Sequence, residues 1–100
     1  LFEFEGIYFD WNEKKLELNE RKHKISFYEA ATAFKDVNAL MIQDENHSAQ
    51  EERFVLLGFS RKANLLIVCH CYREDDESVV RIISARKATK KEELMYKFGG

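Results

Sequence analysis

Apolar positions fall along this chain in two rhythms, one of period near 3.6 and one of period 2, and the change between them divides it into elements. Residues 7–9, Ile7-Tyr8-Phe9, are short, apolar and β-prone and predict a first strand; residues 1–5 are read as a tail. Asp10 followed by Glu13 has the spacing of a capping box, so a helix is expected from there to about His23, where Arg21, Lys22 and His23 suit a helix C-terminus. Ser26 and Glu29 repeat the box. Phe27, Ala30, Ala31 and Phe34 then recur at helical spacing as one apolar stripe that ends near Lys35-Asp36.

Beyond this point the rhythm becomes that of strands. Residues 39–43 are apolar and lead into the polar loop 44–51. Residues 53–59, 65–73 and 79–86 read as three further strands, joined by the short polar segments 61–64 and 74–78 that suit hairpins. The run 65–73 is almost continuously Leu, Ile and Val, which marks a central strand buried on both faces. Thr89 and Glu92 form a third capping box and open a last helix to about Phe98. The order strand, helix, helix, strands, helix predicts an α+β fold: an antiparallel sheet with two N-terminal helices and one C-terminal helix, packed on one face. One hundred residues predict a single domain over 1–100, and that length buries a core without staples.

Composition narrows the choices. The chain has no proline and four glycines, so turns must lean on Asn, Asp and Ser. No apolar run approaches the ~18 residues of a membrane span, and no signal-peptide pattern is seen, so a cytoplasmic protein without a membrane partner is expected. Cys69 and Cys71 are spaced as reduced strand cysteines. A net charge of −2 argues against a broad nucleic-acid surface. Arg21-Lys22-His23-Lys24 and Arg86-Lys87-Ala88-Thr89-Lys90-Lys91 nevertheless give two basic segments that would hold an anion if they met.

Candidate chemistry comes from strand arginines. Strict alternation places Arg81 with Val79, Ile83 and Ala85, and Arg86 on the opposite face with Val80, Ile82 and Ser84. Arg73 shares a face with Ile67, Cys69 and Cys71, and Arg53 with Val55, Leu57 and Phe59. A fixed guanidinium stabilises the extra charge of a phosphorane, the species formed when a ribose 2′-hydroxyl attacks phosphorus. The bland alternative is a solvated arginine paired with Glu51, Glu52 or the acidic run 74–77. His23, His47 and His70 lack zinc-site spacing, and no metal or other cofactor is expected. Trp11 either packs at a helix start or stacks on a base. No Gly-rich phosphate loop or nucleophile elbow is present.

Several segments together resemble the BrnT toxin family. Phe9-Asp10-Trp11-Asn12, Lys15, Asn19, Lys22-His23 and Ile25-Ser26-Phe27-Tyr28-Glu29-Ala30 are similar to that family's opening. Phe34-Lys35-Asp36, Asp44-Glu45-Asn46-His47-Ser48, Glu51-Glu52-Arg53-Phe54 and Gly58-Phe59-Ser60 are similar to its middle. The run from Arg81 to Ala88 with Glu92-Glu93 and Tyr96 is similar to its end, so the resemblance covers residues 7–98. Lys24 stands where the family has Gly, Asn12 where it has Asp, and Phe54 where Trp is common.

The resemblance implies a RelE-like fold and a metal-independent endoribonuclease toxin of a type II toxin–antitoxin system, which cleaves RNA, inhibits translation and is neutralised by a BrnA-type antitoxin. It implies DNA contact only through the antitoxin, and dimerisation by the same route. Carried to matching positions, Arg53, Arg73, Arg81, Arg86 and Tyr96 are the catalytic candidates, and Lys22, His23, His47, Glu52 and Lys87 the RNA-binding ones. The alternative from another class is an antitoxin-binding module of the same fold with weak or lost nuclease activity.

Overall fold

The computed structural model describes residues 1–43 and 52–99; His47 and the remainder of the loop 44–51 lie outside the described residues. The tail expected at the start is instead a strand, β1 (Phe2–Phe4), which turns back onto β2 (Ile7–Asp10). The two-residue turn between them, Glu5-Gly6, has φ of 48° and 88°. A type I′ hairpin needs positive φ at both central residues, and the glycine carries the second without strain. Apolar positions on either side of Glu5-Gly6 were the signal for this hairpin.

Helix α1 (Glu13–His23) is capped by Asn12, whose Oδ1 accepts from the N–H groups of Lys14 and Lys15 at 2.9 and 3.1 Å. The expectation of an Asp10 cap is therefore corrected: Asp10 is the last residue of β2, paired with the sheet. The helix ends at Lys24 with φ 62° and ψ 24°. That left-handed C-cap is the reason glycine suits this position, and lysine holds it at the cost of its Cβ. Helix α2 (Phe27–Thr32) begins at Ser26, whose hydroxyl accepts from Glu29 N–H. Glu29 does not complete the box. Its carboxylate reaches Ser60 and Asn64 at 2.6 and 2.8 Å and ties the helix to the loop after the fourth strand. A 3₁₀ turn (Ala33–Lys35) leads to the strands.

Strands β3 (Leu40–Gln43), β4 (Phe54–Phe59), β5 (Leu65–Tyr72) and β6 (Val79–Lys87) pair antiparallel in sequence order, and α3 (Lys90–Lys97) follows with the full Thr89–Glu92 capping box. Among the described residues the strands form one six-stranded sheet in the order β1-β2-β6-β5-β4-β3. The sheet is mixed, not purely antiparallel as expected. β2 returns beside β6 and runs parallel to it, Phe9 opposite Val80 and Asp10 opposite Arg81. Local patterning predicts hairpins, but it carries no information about which early strand covers the free edge of a late one.

One face of the sheet is covered by α1 and α2. Phe9, Leu56, Leu66, Val68, Val80, Ile82 and Ala85 meet Ile25, Phe27, Ala30 and Ala31 there and form the core. The helices do not all share this face. Helix α3 contacts β4 through Tyr96 against Phe59, and β6 through Glu92 against Arg86, both on the opposite face by the strand register. No helix among the described residues is long and apolar enough to cross a membrane.

His70 is fully buried on the helix-covered face, its ring 4.8 Å from Phe34, 6.1 Å from Phe54 and 5.8 Å from Tyr72. Nδ1 lies 3.1 Å from the Val68 carbonyl, which only accepts, so Nδ1 carries the proton; Nε2 is buried without a partner. Burial pushes its pKa below the ordinary 6.5, against a smaller opposite push from the Val68 carbonyl. The unfolded chain therefore takes up a proton near 6.5 that the folded chain refuses. Above that pH the group contributes no slope, and below it stability falls until the folded pKa is passed. Urea unfolding midpoints are expected to decline from pH 7 to pH 5. A His70→Phe variant should lack that part of the decline; an unchanged slope in it would contradict this account.

Candidate functional site

The face of the sheet opposite α1 and α2 is only partly covered. Val55, Leu65, Ile67, Cys69 and Ile83 are half-buried on it, while Leu57, Cys71 and Val79 are buried. What brings charge to this face is a β-bulge. Cys69 pairs with Ser84 and His70 with Ile82, so Ile83 is an extra residue in β6. One extra residue reverses the alternation beyond it. Ala85 thereby enters the core, and Arg81 and Arg86 project from the same open face. The expectation that they lie on opposite faces is corrected, and the bulge is the reason.

Asp10 organises the first cluster. Its Oδ2 accepts from Arg81 Nη1 at 3.3 Å and from Arg73 Nη1 at 3.4 Å, while its Oδ1 is buried with no partner. Arg73 also chelates Asp75, Nε to Oδ1 at 2.9 Å and Nη2 to Oδ2 at 2.6 Å. Most of its donor directions are thus taken. Arg81 makes one long contact, and its side chain is 43% exposed. Four of its five N–H donors remain for an incoming anion. In the sequence Asp10 reads as a helix cap because Glu13 follows at capping-box spacing; its pairing opposite Arg81 is a long-range property of the sheet.

The second cluster sits where β6 gives way to α3. Arg86 forms a bidentate pair with Glu92, 2.8 and 3.0 Å, and Glu92 Oε1 also accepts from Thr89 N–H at 2.8 Å. The Arg86 bonds, with those from Thr89, hold the Glu92 carboxyl down at about 2 despite its partial burial. Tyr96 donates to Asp36 Oδ2 at 2.6 Å, and the same oxygen accepts from Phe59 N–H at 2.8 Å. Burial and the Asp36 carboxylate push the phenol up to about 12. Burial would raise Asp36, but the bonds from Phe59, Tyr96 and Asn38 outweigh it and keep the carboxyl low. Arg86 and Tyr96 are therefore struts that dock α3 against the sheet, each closed on a carboxylate.

The other candidates are dispersed. Arg53 is half-buried just before β4. Glu52 is exposed and lines a cleft of about 460 Å³ with Phe54, Tyr72, Arg73, Glu74 and Glu77, in which carboxylates outnumber cations. Lys22 and His23 end α1, and Lys87, opposite Leu66 in the ladder, points to that helix-covered side, so these three lie across the sheet from Arg81. The first basic segment, which ends α1, therefore does not meet the arginines of the open face. Among the described residues no group of three His, Cys, Asp or Glu side chains is placed to hold a metal ion.

The chain is similar to known proteins in two respects. A family model described as the ribonuclease toxin BrnT of type II toxin–antitoxin systems matches residues 11–92. The crystal structure of the Brucella abortus ribonuclease toxin BrnT superposes with a TM-score of 0.64 at 19% sequence identity, over 84% of this chain and 99% of that one. At that identity the superposition speaks for a common fold. No curated protein matches the sequence.

Proposed function

The chain belongs to the BrnT family of ribonuclease toxins of type II toxin–antitoxin systems, and on that premise we propose that it is a metal-independent endoribonuclease, held inactive by a BrnA-type antitoxin. The observation that carries this reading is the convergence of Arg81 and Arg73 on Asp10 on the open face of the sheet. A guanidinium fixed by a carboxylate needs no reorganisation when charge develops beside it. In the reaction the ribose 2′-oxygen attacks phosphorus, the 5′-oxygen leaves with a proton, and a 2′,3′-cyclic phosphate remains. Arg81 takes the non-bridging oxygens of the phosphorane, and Asp10 with Arg73 holds Arg81 in place. Release of cleaved messenger RNA stops translation in the cytoplasm, and any contact with operator DNA is made by the antitoxin.

The test is expression of the chain alone and together with the product of the adjacent reading frame. Expressed alone, it should arrest growth and leave RNA fragments ending in 2′,3′-cyclic phosphate; co-expression should abolish both. Normal growth with intact RNA in the first culture, from folded protein, would refute the nuclease and leave the antitoxin-binding module.

A further inference from the structure

The two basic segments of the chain meet each other at one end of the sheet. Asp10 lies opposite Arg81 in the ladder, and Asn19 reaches the carbonyl of Ala85, so the chain through α1 advances in the same direction as β6. From these tie points Lys22 and Lys24 lie ~5–8 Å further along α1, and Lys87 ~7 Å further along β6 on the same side of the sheet. Ala88 N–H still bonds to the Leu65 carbonyl at 2.9 Å, and Lys90 and Lys91 follow in the first turn of α3. All five lysines are exposed. Among the described residues none of them forms an ion pair, whereas Arg73, Arg81 and Arg86 are each closed on a carboxylate. The acidic run 74–77 joins β5 to β6 at the opposite end of these strands, and Glu52 shares a cleft with it. A net charge of −2 therefore conceals two poles.

We infer that the lysine end is an anchoring surface for the phosphate backbone of RNA, independent of sequence and separate from Arg81. The inference rests on the ribonuclease reading for the identity of the polyanion. Two placements argue that these charges serve a ligand. Lys90 and Lys91 stand in the first turn of α3, where a cation works against the helix dipole. Lys24 holds a left-handed residue at the cost of its Cβ. Folding favours neither, and a polyanion favours both. With the acidic pole at the far end, the field of the molecule also turns this end toward an approaching backbone. Lysine suits such a role because its ammonium is a point charge that meets phosphate without demanding one geometry.

For single strands each phosphate-bound cation contributes ~0.7 to the dependence of log Kd on log salt, about fivefold in affinity at ~0.1 M. The whole protein is titrated, by anisotropy, with a labelled, uncleavable 2′-O-methyl RNA of about twenty mixed nucleotides across a salt series. Lys22→Gln with Lys87→Gln, one lysine from each segment, should flatten the salt dependence by ~1.4 and weaken binding about 25-fold. Lys14→Gln with Lys97→Gln removes the same charge from exposed positions outside the surface and should leave binding near that of the unaltered protein. Lys24→Gly should melt higher, since glycine suits the left-handed cap, and yet bind RNA about fivefold more weakly. Melting curves verify the fold of every variant. Equal losses in the two double variants, an unchanged salt dependence, no binding, or an unweakened Lys24→Gly protein would each overturn the surface. Displacement of the RNA by polyglutamate as readily as by unlabelled RNA would also overturn it and assign this end to an acidic protein. Cleavage of unmodified RNA is scored separately: lysine-dependent binding without cleavage keeps the surface and removes the nuclease, and cleavage with binding indifferent to these lysines does the reverse.

Discussion

Replacing Arg81 with alanine is expected to slow single-turnover RNA cleavage by ~10²–10³-fold, the usual loss when one preorganised donor to a developing oxyanion is removed. The reasoning starts from geometry. Arg81 leaves the open face of β6 opposite Cys71 and meets Asp10 through one N–H. Its side chain is 43% exposed, and its backbone is already fixed in the strand ladder. Arg73→Ala is expected to be milder, because two arms of that guanidinium already serve Asp75. Arg81→Lys should recover only part of the loss, since an ammonium keeps the charge but not the fork. Arg86→Ala should act differently: it releases Glu92 and loosens α3, so thermal stability falls along with activity. Arg81→Ala, by contrast, removes one long, part-buried pair and leaves Asp10 its contact with Arg73, so the melting midpoint should move little. Rates measured with RNA in excess of Kd, alongside melting curves, separate the two behaviours. An Arg81→Ala protein that melts normally and cleaves at the wild-type rate would remove the proposed site.

The second large effect is structural. Asn19→Ala is expected to destabilise the fold by about 3 kcal/mol, since each buried polar group left unpaired costs ~1–3 kcal/mol. Asn19 is 6% exposed, and its amide makes three bonds. Nδ2 donates to the carbonyls of Ile25 and Ala85 at 2.9 and 2.8 Å, and Oδ1 accepts from Ala85 N–H at 3.0 Å. The place of Ala85 explains why a side chain does this work. β2 pairs with β6 only as far as Asp10 opposite Arg81, and beyond that no strand among the described residues lies beside this edge of β6. The Asn19 amide offers the donor and acceptor that a neighbouring strand would have offered. It also clamps β6 just past the bulge, in the register that places Arg81 and Arg86 together. For a domain of this size ~4–8 °C are lost per kcal/mol, so the midpoint should fall by ~12–24 °C. Asn19→Asp should be at least as damaging, because it turns an oxygen toward two carbonyls. A calorimetric loss under 1 kcal/mol in Asn19→Ala would show that water or a shifted strand replaces the clamp.

Helices α1, α2 and α3, their Ser26 and Thr89 caps, the hairpins joining β4 to β5 and β5 to β6, and the central place of β5 follow from residues within a few positions of one another. Such features are set by dihedral preference, capping and side-chain period, all local quantities. Asn19 was visible as a residue shared with a family, and its partner 66 positions away was not. The same holds for the site. Arg73, Arg81 and Arg86 stood out as strand arginines, whereas Asp10 and Glu92 did not. A carboxylate is ordinary in sequence and acquires meaning only through the guanidinium it faces.

Three things lay beyond any local pattern: the parallel entry of β2 beside β6, the approach of α3 to the open face, and the extra residue Ile83 in β6. Each depends on contacts between distant segments, and the last reverses the face of everything after it. Strict alternation is a rule about an unbroken strand. Whether the strand is broken depends on what Ala85 gains by entering the core and what Asn19 gains by holding it there, and those are tertiary energies that no window of sequence contains.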